Sequence, residues 1–390
     1  SDLVVGSQFG YRYYPSISGV ARSLNFYPLG DEKTEEGVVN LALGLGKYIV
    51  DGGLTLRFSP YHPHKILQTS ELELALRETQ PHFYALDLKN TGENFSIDDG
   101  FNLLKLRVKE AEKDGSLQFI ASTYDPYDQI IRDGIYPGGR KIITFANILQ
   151  HGVFPLADIL KLVLKQSVKE MGRPIEIEFA VTLNNEKRTG IFYLLQIRPI
   201  VENKAVMNEN LDLIAEDKLL LKSGNSLGHG VVHDIYDVVY VKTKDYNPSN
   251  NLKIARELEN INGKLTDEHR TYVLVGPGRW GSSDSWLGIP VKWPHVSSAR
   301  LIVESGLKGY QVDPSQGTHF FQNLTSFGVG YFTINSHYGE GLYNQEFLDL
   351  QPAVEETEFI RHVRFASPLV IKMNGKDKKG VVFLPEMNGE

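Results

Sequence analysis

The sequence predicts an α+β protein built as two domains, residues 1–205 and 206–390, and three observations carry that reading. Residues 175–183 alternate apolar and polar side chains with the period of a half-buried strand, and a second alternating run follows a turn-prone segment. Just upstream, residues 155–172 carry an apolar stripe at helical spacing. The chain of 390 residues is long enough for at least two cores at roughly 100 to 200 residues each, and the polar, acidic stretch 201–217 reads as a linker between them.

In chain order, residues 11–53 contain strand-like runs punctuated by glycine. Residues 60–140 are rich in tyrosine, proline and charge and read as an insertion or subdomain, with 124–139 as a long loop. The helix follows: Pro155 suits a first turn, Leu156, Ile159, Leu160, Val163, Leu164 and Val168 form the stripe, and Gly172 stops it. Beyond the linker, residues 231–241 read as a strand, 251–261 as a helix, 272–275 as a strand opening into a glycine loop, and Asn374 and Gly375 as the turn of a terminal hairpin.

The hairpin at 174–200 is the most informative stretch. Ile175, Ile177, Phe179, Val181 and Leu183 alternate with Glu176, Glu178, Ala180 and Thr182, so both carboxylates point the same way. Pairing symmetric about Lys187 places Glu178 opposite Gln196 and Glu176 opposite Arg198. Two acids, an amide and a guanidinium on adjacent pleats can hold a divalent cation through oxygen and a phosphate through a bidentate fork. A surface hairpin in which Glu176 and Arg198 form a cross-strand ion pair fits the same residues.

IEIEF followed by FYLLQIRPI resembles the end of the ATP-grasp nucleotide-binding domain of the phosphoenolpyruvate synthase and pyruvate phosphate dikinase family, where a D-I-E strand precedes a Y-x-L-Q-x-R-P strand. The resemblance implies Glu178 and Gln196 near metal and nucleotide, Arg198 at the phosphates, and Glu176, in place of the usual aspartate, among the nucleotide-binding residues. SISGVARSLNFYPLG and VNLALGLGKYIVDGG resemble the family's S-G-V segment and G-L-G-E turn, which adds Gly44 and Gly46 to the implied nucleotide site and puts Lys47 where the family has an acid. RYYPSISGVA, GPGRWGSSD and PSQGTHFFQNLTSFGVGYFTIN are similar to a divergent branch of phosphoenolpyruvate synthase-like proteins.

What the family implies is an ATP-grasp-like C-terminal lobe over residues 1–205, followed by a mixed α+β domain of unassigned role. The implied cofactors are ATP and magnesium, and the implied acceptor is pyruvate or another small phosphoryl acceptor. The family's first lobe has no counterpart here, so the chain is expected to be a C-terminal piece of a longer polypeptide that supplies that lobe. Two functions are compatible: part of an ATP-dependent phosphotransferase, with no catalytic residue assigned, or a non-catalytic nucleotide-sensing or scaffolding protein that keeps the fold without the chemistry. The first is the reading adopted; Lys47, the insertion at 60–140 and the missing phosphohistidine motif point to the second.

Composition limits the alternatives. Net charge is −7 with acids and bases interspersed, so no clustered basic face offers itself to nucleic acid. No apolar run reaches bilayer-spanning length and no signal peptide opens the chain, which makes cytoplasmic the expected location. The absence of cysteine excludes disulfides, thiolate catalysis and cysteine metal sites.

Three motifs outside the hairpin read mainly as structure. In residues 271–288, Gly276, Gly278 and Gly281 flank Arg279 with Ser282, Ser283 and Asp284 behind, an arrangement open to an anion or to a tight turn packed by Trp280 and Trp286. His229 and His233 have i to i+4 spacing in a strand-like context, where they do not converge on one metal. Thr318 and His319 are only loosely similar to the family's phosphohistidine segment.

Overall fold

A computed structural model describes residues 5–89, 102–184, 186–200, 210–244, 246–282, 284, 286–313, 320, 324–325 and 327–385. The chain divides into two compact units, one of residues 1–25 and 35–200, the other of 26–34 and 201–390. No helix among the described residues is long and apolar enough to cross a membrane.

The first unit is organised around a five-stranded antiparallel sheet in the order Thr189–Pro199, Ile175–Asn184, Ile17–Arg22, Val38–Ala42, Leu56–Phe58. One face carries Ile17, Ala21, Val39, Leu41, Ile175, Ile177, Phe179 and Val181, which share a core with Leu156, Leu160 and Leu164 of helix Leu156–Met171. Gly172 ends that helix at φ 65°, its amide bonded to Val168 O, a left-handed stop that costs glycine nothing. Residues 60–140 add a four-stranded sheet shared with strands Ser7–Phe9 and Arg12–Tyr14, and a three-stranded one. Their Phe83, Ala85, Val108 and Ile120 lie in the same core as the main sheet, with Ile143 of the three-stranded sheet. Residues 124–139 are not one loop: Asp125 accepts the Tyr127 and Asp128 amides, and the turn it closes returns the chain as strand Ile130–Asp133.

Phe179 is paired with Gly19 across the sheet, and a Cβ at Gly19 would fall 2.2 Å from the Phe179 ring. The phenyl ring lies over bare backbone, then stacks on Phe192 at 5.1 Å. Gly19→Ala is therefore expected to destabilise the unit by about 1–3 kcal/mol through overpacking. Urea unfolding measures the loss, and Gly19→Ala combined with Phe179→Leu should recover part of it.

The second unit holds a ten-stranded sheet whose central block is parallel: Gly330–Ile334, Ala299–Ser305, Tyr272–Pro277 and Gly230–Val241 lie side by side. Helix Asn251–Asp267 makes the crossover between the last two of these. Strand Asn225–Leu227 flanks the block antiparallel on one side, and Ile360–Asn374, Lys379–Phe383 and Leu219–Ser223 on the other. The strand at 230–241, the helix from 251 and the terminal turn at Asn374 stand where the sequence places them, the helix running on to Asp267.

Candidate functional site

The face of the first unit's sheet opposite that unit's core carries its polar side chains in cross-strand rows around Glu176 and Glu178. Glu176 is opposite Arg22 on one side and Arg198 on the other, and Glu178 is opposite Val20 and Gln196. Val20 continues the second row to Asn40 and Arg57. Near the turn the hairpin pairs Asn184 with Thr189 and Phe179 with Leu194, a register that would set Leu195 and Ile197 against the acids. A bulge at the shift between Glu178 and Phe179 takes up Leu195 and turns Gln196 and Arg198 onto the polar face instead.

Glu176 is the pivot. It is buried at 5% exposure although it belongs to the polar face, because two guanidinium groups cover it. Arg22 donates from Nε to Oε2, and Arg198 donates from Nε to Oε1 at 2.7 Å and from Nη2 to the same oxygen. Burial pushes its pKa up, but the hydrogen bonds and charges of Arg22 and Arg198 outweigh this and hold it below the usual carboxylate range. Arg198 is correspondingly raised, mainly by its bond to Glu176. With a depressed folded pKa, this carboxylate contributes stability above the unfolded value of about 4.3 and loses it as pH falls through the folded one. Glu176→Gln should accordingly flatten the loss of stability between neutral pH and pH 3, as read by urea titration at each pH.

Glu178 stands apart. Its carboxylate makes no hydrogen bond among the described residues, keeps 31% of its side-chain surface exposed, and lies 3.9 Å from Arg198 Nη2. Gln196 beside it is exposed. Glu178 and Gln196 together offer oxygen ligands from neighbouring strands, and no group of three or more His, Cys, Asp or Glu suited to a metal exists among the described residues. One carboxylate and one amide suit a magnesium ion, which keeps several waters and draws its remaining ligands from nucleotide phosphates.

Gly44 and Gly46 form the turn after strand Val38–Ala42. Gly44 sits at φ 84° with its Cβ position 2.6 Å from Tyr84 O, so only glycine fits. Its carbonyl accepts from Ser18 Oγ at 2.6 Å, and a Cβ on Gly46 would lie 3.8 Å from Ser18 Cβ. Ser18 pairs with Ala180, two residues (about 7 Å along the strand) from the Glu178 row, so the turn borders the polar face. Lys47 ion-pairs with Asp51 at 3.1 Å across one helical turn.

Arg22, Asn40 and Arg57 share the face and were not singled out in the sequence. Arg22 ends a strand whose other residues are apolar or small, and only the register of strand Ile175–Asn184 brings it to Glu176.

The other motifs fall elsewhere. In the glycine loop of the second unit every amide from 278 to 281 is taken: Gly278 donates to Ser305 O, Arg279 to Leu287 O, Trp280 to a Glu304 carboxylate oxygen and Gly281 to Ile289 O. Trp280 is fully buried, Trp286 is exposed, Asp284 accepts the Trp286 amide, and among the described residues Arg279 Nε donates to Asp313 O at 3.3 Å. The loop is a structural turn, with an internal carboxylate where an anion would have to bind. Ser283, Thr318 and His319 lie outside the described residues. His229 stacks on Phe26 at 4.5 Å, and His233 is exposed on strand Gly230–Val241.

Residues 3–218 match the family model described as pyruvate phosphate dikinase, AMP/ATP-binding domain. Comparison with curated proteins gives no match.

Proposed function

The chain belongs to the pyruvate phosphate dikinase AMP/ATP-binding domain family, and from that premise we propose that the polar face of its first unit holds the phosphates and magnesium of ATP as one lobe of an ATP-grasp-like site. The observation that carries this reading is that Gln196 and Arg198, turned by the bulge at Leu195, share one face with Glu178.

Arg198 and Arg22 are the anion-binding groups. Their fork geometry suits phosphate oxygens, and both already bind an oxyanion in Glu176. Glu176 holds the two guanidinium groups in place, so a phosphate meets donors whose side-chain entropy is already spent. Glu178 and Gln196 would hold magnesium, which when bound neutralises charge between adjacent phosphates. Gly46 leaves the rim of the face without a side chain, so backbone can approach the nucleotide.

The reaction class proposed is ATP-dependent phosphoryl transfer to a small acceptor such as pyruvate, with catalysis by positioning and charge neutralisation. A second reading, nucleotide sensing without transfer, is favoured by one observation: Lys47, where the resembling family carries an acid, is engaged with Asp51. Turnover separates the two. Release of AMP or ADP from ATP by the polypeptide that also supplies the first lobe, dependent on magnesium and abolished in Glu178→Gln, supports transfer. Nucleotide binding with the same sensitivity and no turnover supports sensing, and binding indifferent to Glu178→Gln contradicts both.

A further inference from the structure

We propose that the second unit carries a binding site for a small polyhydroxylated ligand, a sugar or the ribosyl part of a nucleoside, in the cleft beyond the carboxyl ends of strands Ala299–Ser305 and Gly330–Ile334. In sheets with a parallel core, ligands bind outside the carboxyl ends of the strands. The cleft has a volume of about 560 Å³, within the range of small-molecule sites, and of its wall residues only Val312 carries a sizeable apolar side chain. An apolar ligand would gain little there.

The wall is built around Asn335, which is 4% exposed and fully engaged. Its Oδ1 accepts the Val312 amide at 2.9 Å, and its Nδ2 donates to Val312 O at 3.1 Å and to Glu340 Oε2 at 3.0 Å. Gln311 Nε2 donates to the same Glu340 oxygen at 3.0 Å. The Glu340 carboxylate is thus oriented by two amides through one oxygen, which leaves the other to accept from a ligand. Asp313 and Asn225 line the cleft with side chains that make no hydrogen bond among the described residues. Thr333 is 6% exposed on the same wall, and its hydroxyl has no partner among the described residues, an unmet bond of the kind buried polar groups seldom leave.

This inventory decides the ligand class. Asp313 and Glu340 disfavour a phosphate or carboxylate, while the third lining acid, Asp212, is paired with Lys379, and Lys222 Nζ donates to the Asp212 carbonyl. No metal-competent group of His, Cys, Asp or Glu exists among the described residues. Two carboxylates, a free amide and a hydroxyl accept and donate in mixture, which is what vicinal hydroxyl groups offer in return.

Saturation-transfer difference NMR of the full chain with D-glucose, D-ribose and uridine tests the assignment. Transfer to a saccharide is expected, falling about fivefold or more in Glu340→Ala and in Asn225→Ala, as for the loss of one hydrogen bond of about 1 kcal/mol. Glucose and ribose signals identify a free sugar, whereas uridine alone, with its ribose protons saturated above its base protons, identifies a nucleoside. Unchanged thermal unfolding of both variants ties the loss to the cleft. No transfer to any probe, transfer unchanged by both substitutions, or transfer lost in Arg198→Ala, which would locate it on the first unit, overturns the proposal.

Discussion

Arg198→Ala is expected to weaken binding of magnesium ATP by about 10- to 150-fold in calorimetric titration, the equivalent of about 1.5–3 kcal/mol for a charge-assisted hydrogen bond. The loss comes from the ligand side, because Glu176 retains Arg22 as a partner after the substitution. Arg198→Lys keeps the charge and loses the fork, so it should recover only part of the affinity. If Arg198 serves only to cover Glu176, the nucleotide affinity will not move and the effect will appear in stability alone.

The largest structural effect is expected in the second unit, where Asp237→Ala should destabilise the fold by about 3–5 kcal/mol, read from the shift of a chemical-unfolding midpoint. Asp237 is fully buried and accepts from His362 Nε2 at 2.7 Å, Arg364 Nε at 2.6 Å and Arg270 Nη1 at 3.3 Å. Burial pushes its pKa up, and the bonds and charges of His362 and Arg364 bring it below the ordinary value. Without the carboxylate, His362 and Arg364 are left aimed at a void, Arg364 keeping its bond to Glu268 at 2.7 Å. Because the folded pKa is depressed, acid should erode the same stability as pH falls below about 4, and Asp237→Ala should remove that part of the acid sensitivity.

The hairpin was legible because strand Ile175–Asn184 buries its apolar residues on one face, so alternation marked Glu176 and Glu178 as sharing the other, whereas strand Thr189–Pro199 leaves Ile191, Leu194 and Ile197 exposed. Helix Leu156–Met171 was legible for the same reason, with its stop written in Gly172. Arg22 was not, since a cation closing a short strand looks like any surface residue until the partner strand's register is known. The parallel block of the second unit escaped as well. Strands such as Tyr272–Pro277 are buried on both faces, and a continuous apolar run shows neither direction nor neighbours. In the glycine loop the sequence displayed the glycines and the arginine but not that Ser305, Leu287, Glu304 and Ile289 already occupy the amides. The cleft lined by Asn225, Asp313, Thr333 and Glu340 brings together four segments separated by up to about a hundred residues, and no local motif announces it.

The central claim is that nucleotide and metal meet on the polar face of the first unit. Anomalous diffraction from crystals of the full chain grown with manganese and a non-hydrolysable ATP analogue tests it most directly. The account predicts a manganese peak in contact with Glu178 and Gln196, and phosphate density within hydrogen-bond reach of Arg198 and Arg22. Manganese and phosphate bound elsewhere, with no density beside Glu178, Gln196, Arg198 or Arg22, would contradict it.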